Sequence, residues 1–304
     1  GPQMNSHSYI KNRKNEDIII YINGDLVHRN NAKISVFDSG FLLGDGVWEG
    51  IRLHKSRLVF IEEHLNRLFE SAEGLSIELP FSSKDIEKEI YKVLDANHMT
   101  DDVHIRLIIS RGDKITPYQN PKANIGPINF VIIPEYKKTD PSVYTNGIKI
   151  GMVPNIRPSK DIQNTHYNTL SKLNCILASI EANKRGFDEG IMKDLNNNIS
   201  TCNSTNLFFI KDKKIITSTG EFCLNGITRS KVIEICHENK ITCEEKNFKF
   251  KDIESCEEAF VTGTFAGVIP VSILENRKIE SHKPSSITSK IRNLYLNKIE
   301  SYIN

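Results

Sequence analysis

Turn signals recur along this chain at intervals too short for a strict alternation of strand, crossover helix and parallel strand, and that spacing constrains the fold more than any other feature. Residues 18–27, IIIYINGDLV, place two apolar stretches around Asn23-Gly24, the dipeptide that most readily supplies the positive φ angles of a tight hairpin. IMKDLNNNIST (191–201) and NLFFIKDKKIITS (206–218) read as two more hairpins. Between 61 and 75, Ile61, Leu65, Leu68, Phe69 and Ala72 follow helical spacing, and a second helix starts near Ser82, capped by Asp85, with Ile86, Ile90, Val93 and Leu94 as its stripe. Strands are expected at 103–110, 128–134, 148–153 and 258–263. Helices are expected at 170–184, with Leu173, Ile176, Leu177 and Ile180 on one face, from a cap near Thr228, and at 285–299. Helices mixed with hairpins in this way point to an α+β chain of two domains, 17–140 and 148–304, joined through the polar stretch 135–147.

The 304 residues suit two modest domains. No apolar run approaches the eighteen or so residues that span a bilayer, so no membrane partner is expected. Forty basic residues against thirty-eight acidic ones are scattered rather than gathered into a stripe, which disfavours nucleic acid. Neither GxGxxG nor a P-loop is present. The six cysteines lack zinc-knuckle or redox spacing, and with no signal sequence they read as reduced thiols of a cytoplasmic protein; no metal site is expected. Gly-Pro-Gln before Met4 looks like a protease-cleavage scar, and residues 1–16 read as tag and mobile tail.

Four segments in order carry a resemblance: FLLGDGVWEGIRLHKSRLVFIEEHLNRLFESA (41–72), SIEANKRGFDEGIMKD (179–194), CLNGITRSKV (223–232) and FVTGTFAGVIPV (260–271). Together they resemble the aminotransferase class IV family, the fold-type IV pyridoxal-phosphate enzymes that include the branched-chain and D-amino-acid aminotransferases. The resemblance implies a two-domain α+β fold with pyridoxal 5'-phosphate in the cleft, a homodimer, and exchange of an amino group between an amino acid and a 2-keto acid. It also implies a phosphate cup at Arg67, Ile227, Thr228, Gly263 and Thr264. Helix-entry amides, hydroxyls and one guanidinium suit a phosphate, although read alone the same residues are ordinary capping and turn chemistry with a solvated arginine. Arg106 and Arg111, in IRLIISRGD, resemble positions that bind a substrate carboxylate, and Trp48 stands where family members line the pocket with an aromatic ring; as exposed strand arginines and a core tryptophan they have plain readings too.

The pattern departs in two places. In HYNTLSKLNCILA (166–178), Asn168 falls where the family has the lysine that holds the cofactor, and an amide nitrogen is not nucleophilic. In ISTCNSTNLFF (199–209), Thr201 falls where the family sets a glutamate against the pyridine nitrogen. The catalytic candidates are therefore Asn168 and Lys172, four residues on and one helical turn away if that stretch is helical; a solvated lysine is the bland alternative. His166 and Tyr167 are further candidates for proton transfer. An engineered lysine replacement explains Asn168 but not Thr201, whereas a divergent branch explains both. A lyase similar to aminodeoxychorismate lyase, or a ligand-binding protein without chemistry on the same scaffold, are the alternative functions.

Overall fold

The computed structural model describes residues 5–304. A first sheet of six antiparallel strands runs in the spatial order Asp25–His28, Ile19–Ile22, Asn129–Tyr136, Val103–Ser110, Gly46–His54, Arg57–Leu58. Its opening hairpin turns at Asn23-Gly24 as the dipeptide dictates, with φ of 50° and 96°. One face of the sheet is apolar at every second position: Val103, Ile105, Leu107 and Ile109 are fully buried under the helices Ile61–Gly74 and Ser83–Ala96. Each such side chain contributes about 1.5–3 kcal/mol of burial. The Ser82–Asp85 capping box closes the second helix as expected. Alternation then sends His104 and Arg106, with Trp48 and Gly50 on the neighbouring strand, to the other face, where the site lies.

The second sheet has nine strands of mixed direction, in the order Ile199–Cys202, Glu189–Lys193, Ile148–Ile156, Gly267–Leu274, Glu258–Gly263, Asn206–Lys211, Lys214–Thr217, Cys243–Glu245, with Arg277–Lys278 paired to Gly267–Leu274. The helices Ile227–Glu238 and Ile287–Ile303 pack on one side of it around Phe208, Phe260, Val232, Ile291 and Tyr295. Helix Leu173–Lys184 overturns one expectation. Its buried residues are Ala178 and Ala182, while Leu173, Ile176, Leu177 and Ile180 are 66%, 51%, 45% and 44% exposed. The apolar periodicity is present, but the stripe points away from this chain's own sheet.

Of the tail, residues 1–4 lie outside the described residues. The remainder is tied down where mobility was expected: Tyr9–Ile10 pairs with Lys138–Thr139, and Ser6 is buried with its hydroxyl donating to Glu189 at 2.7 Å. Polar composition concealed these contacts because backbone pairing needs no apolar residue. The six cysteines are all unpaired. The first sheet meets the loop between strand Ile148–Ile156 and helix Leu173–Lys184 at a seam where Trp48 N–H donates to the Asn168 carbonyl and Leu170 N–H to the Gly46 carbonyl, both at 3.0 Å. That seam fixes the walls of the site.

Candidate active site

A cavity of about 410 Å³ lies between the sheets, and its lining includes Trp48, Arg67, Arg106, Asn168, Lys172, Thr201, Gly263 and Thr264. One corner of it is assembled from three distant segments. Helix Ile227–Glu238 begins at Gly226 with no side chain capping its first turn, so its leading amides keep their positive end for a ligand. The Gly226 amide is held by Asn206 Oδ1 at 3.0 Å. Arg67 reaches this corner and donates to the Asn225 carbonyl at 3.1 Å. Thr264 closes the third side from the turn that follows strand Glu258–Gly263.

Glu49 and His64 position Arg67, and no sequence motif singles them out. Glu49 is fully buried and receives two Arg67 bonds at 2.8 Å, from Nε and Nη2, and lies 2.8 Å from His64 Nδ1. Burial pushes its carboxyl up, but the adjacent Arg67 and His64 outweigh that and hold it below the usual range. The fork geometry leaves Nη1 of Arg67 pointing at the helix entry. Ile227 and Thr228 line a neighbouring cavity of about 450 Å³ across the Thr264 turn, with only Gly226 of this helix entry lining the main one. The Thr228 hydroxyl lies 3.2 Å from Tyr295 Oη rather than capping the helix, which corrects the cap expected there.

At the other end Asn168 is buried, its N–H bonded to Ser71 Oγ at 3.0 Å. Lys172 Nζ donates to Asn168 Oδ1 at 3.0 Å. The expected helical relation between them is absent, because the helix starts only at Leu173 and Lys172 is its N-cap; the loop instead folds the lysine back over the asparagine. Desolvation, with Arg157 and Arg67 nearby, pushes the Lys172 ammonium down to about 8. Arg157 is 8% exposed and donates to Phe222 O at 3.2 Å, Asn174 Oδ1 at 2.8 Å and Cys175 Sγ at 3.0 Å. The Thr201 hydroxyl donates to the Thr205 carbonyl at 2.8 Å, so it offers the cavity a lone pair and no charge. The hydroxyl of Thr262, lining the cavity, is buried without a partner, and that of Thr205 lies against buried Glu189.

Trp48 forms a wall between two cations, with the Arg106 guanidinium 4.2 Å and Lys172 Nζ 5.6 Å from its ring centroid. Gly50, opposite Arg106, keeps this wall open, since a Cβ there would come 3.1 Å from His104 Nε2. Three candidates lie elsewhere. Arg111 is locked in a fork with Asp45, at 2.6 and 3.0 Å, and bonds the Leu75 carbonyl at 2.7 Å, so its guanidinium faces away from the cavity that holds Arg106. Alternation along the strand separates the two arginines: five residues apart, they leave on opposite sides. His166 lies 2.9 Å from the Gly220 carbonyl on the surface, and Tyr167 packs against Gly74. Arg157, Lys137, His7 and His104 are lining residues that no sequence signal marks, because they come from unrelated segments.

Comparison with known proteins agrees with this geometry. The amino-transferase class IV family model matches residues 46–274. The chain is 34% identical over 290 residues to branched-chain-amino-acid aminotransferase-like protein 2 of Arabidopsis thaliana, covering 93% of this chain and 50% of that protein. It thus spans about half the length of the two Arabidopsis relatives it matches. A putative branched-chain-amino-acid aminotransferase of Methanocaldococcus jannaschii is 32% identical over 274 residues, 90% of this chain and 93% of that one. Among solved structures, the Escherichia coli branched-chain amino acid aminotransferase superposes with a TM-score of 0.82 at 25% identity, covering 92% and 94% of the two chains. The T.th. branched-chain amino acid aminotransferase with pyridoxamine 5'-phosphate gives 0.85 at 25%, covering 94% and 95%. With the model spanning most of the chain and the cavity lying between the two sheets, this chain belongs to the aminotransferase class IV family.

Proposed function

We propose that this chain is a pyridoxal-phosphate-dependent aminotransferase in which Lys172 takes over from the family lysine replaced by Asn168, with an amino acid as donor and a 2-keto acid as acceptor. The observation that carries this reading is the Lys172 amine inside the cavity, bonded to the residue that stands in the lysine's place. The uncapped helix entry, Arg67 and Thr264 suit the cofactor's phosphate, and the unpartnered hydroxyl of Thr262 suits a polar ligand. Bound there, the cofactor supplies an aldehyde that takes up an amino group and a ring that draws electrons from the reacting carbon.

The chain's own residues divide the remaining work. With its ammonium pushed down to about 8, Lys172 presents about one neutral amine in ten at pH 7, far more than an ordinary lysine, and Nζ can both attack and carry a proton. Arg106, stacked on Trp48, presents a planar fork that orients a carboxylate. Thr201 would give a bound cofactor no negatively charged partner, and Arg157 adds a positive charge to the same lining, so turnover slow for this family is the expected outcome. The exposed stripe of Leu173, Ile176, Leu177 and Ile180 supports a second copy of the chain as its cover, making a homodimer, and the six free cysteines support a cytoplasmic setting.

Borohydride reduction of the protein loaded with pyridoxal phosphate, followed by peptide mapping, tests the assignment. Label on Lys172 is expected. An unlabelled Lys172, with no visible absorbance band on adding the cofactor, overturns it in favour of a ligand-binding protein on this scaffold.

A further inference from the structure

The cavity lining contains no aspartate or glutamate among the described residues. At the phosphate end Arg67 is neutralised from behind by Glu49. A second set of basic side chains gathers around Phe265, the residue after Thr264, whose ring centroid lies 4.8 Å from Lys137 Nζ, 5.4 Å from the Arg52 guanidinium, 5.5 Å from the His104 ring and 6.1 Å from the His7 ring. They converge from the N-terminal segment, two strands of the first sheet, and the residue that follows strand Asn129–Tyr136. His104 is 9% exposed, and its Nδ1 has no hydrogen-bond partner.

The charges facing this cluster are few. Glu135 acts on Arg106 and Lys137, Asp101 and Asp102 with Tyr144 and Tyr295 act on Arg52, and buried Glu189 reaches His7 through Ser6, whose Oγ donates to it at 2.7 Å and lies 3.1 Å from His7 Nδ1; none of these carboxylates and phenols lines the cavity. Burial, with Arg52, Lys137, Arg106 and His7 around it, pushes His104 well down; desolvation, then Lys137 and Arg106, pushes His7 down to about 4, although His7 as a residue is exposed. Both imidazoles are therefore neutral at pH 7 until an anion arrives. One α-carboxylate needs one fork, and Arg106 provides it. Lys137 and the two histidines remain.

We propose that His7, His104 and Lys137 form a subsite for a phosphate-like dianion on the side chain of the substrate. The assignment rests on the aminotransferase reading only in taking the ligand to be an amino or keto acid. A phosphate monoester brings close to two charges at pH 7 and three acceptor oxygens to these three groups, whereas a side-chain carboxylate brings one charge and two oxygens. A dianion beside neutral imidazoles favours their charged form, so binding takes up protons.

Calorimetry on the full chain without cofactor, at about pH 7 in two buffers of different ionisation enthalpy, compares O-phospho-L-serine, L-glutamate and L-leucine. Phosphoserine is expected to bind at least about tenfold more tightly than the other two, with net proton uptake, and His7→Gln and Lys137→Gln are each expected to cut that preference several-fold. Equal binding of glutamate and phosphoserine overturns the proposal. So does a preference that survives both substitutions and disappears in Arg67→Gln, which puts the dianion in the phosphate cup. A chain that keeps the preference while Lys172 takes no borohydride label sinks the aminotransferase reading and leaves the subsite standing; label without the preference does the reverse.

Discussion

The two ends of the cavity differ in what they are made of. The corner at Arg67 is built from a helix entry, a turn after a strand and one guanidinium held by Glu49, which His64 bonds in turn, so part of it is backbone fixed by the fold. The amine end depends on single side chains, and it is there that the two expected departures, Asn168 and Thr201, fall while Lys172 and Arg157 occupy the space. A backbone amide cannot be mutated away, whereas a lysine can be lost in one step and replaced from any neighbouring position whose stem reaches. Function can therefore migrate within the cavity while the cup stays put.

Replacing Lys172 breaks the comparison most directly. Lys172→Ala is expected to abolish covalent retention of pyridoxal phosphate and to lower transamination by at least about a thousandfold, read by borohydride labelling and turnover. Asn168→Lys in that background is expected to recover the label, at residue 168; failure to recover it would mean that the two positions do not address the same point in the cavity. At the other end, Arg67→Ala leaves Glu49 buried beside His64 alone, and a loss of about 3–5 kcal/mol is expected in denaturant unfolding, together with weakened cofactor binding. Unchanged stability would show that the clamp on Arg67 is not what holds this corner.

A smaller effect separates function from stability at Lys172. Its folded pKa of about 8 lies below the ordinary lysine value, so between about pH 8 and 10.5 the unfolded chain binds more protons and stability rises with pH. Below that window the burial penalty is fully present. Lys172→Met is thus expected to stabilise the protein by up to roughly 3 kcal/mol at pH 6–7, and the gain should fade as pH climbs to about 10.5. A gain that does not depend on pH would assign it to packing. Smallest of all, Thr228→Val removes the hydroxyl contact with Tyr295 and is expected to cost about 1 kcal/mol with the cup intact, since that hydroxyl faces Tyr295 and not the main cavity.

Much of this was legible in the residues. The Asn23-Gly24 hairpin, the Ser82–Asp85 capping box and the helix at 61–74 follow from local chemistry, because turns and caps are decided within a few residues. The four family segments and the two departures located Arg67, Gly263, Thr264, Asn168, Thr201 and Lys172, all of which line one cavity. Arg106 and Arg111 could not be told apart by spacing, since only the fork with Asp45 takes Arg111 out of reach. The stripe on helix 173–184 was visible as periodicity, but periodicity states that a face is apolar and not what covers it.

By itself, then, the sequence determined the local elements, the family, and an asparagine where a lysine was expected, since each is written in contiguous residues. Tertiary structure alone decided that Lys172 folds back onto Asn168 from a loop, that Arg157 is buried against Phe222, Asn174 and Cys175, and that His7, His104 and Lys137 surround Phe265. The physical reason is separation along the chain: charges from distant segments become neighbours only when two sheets close on one another, and their desolvation, which sets what they can bind, exists only in that closed state.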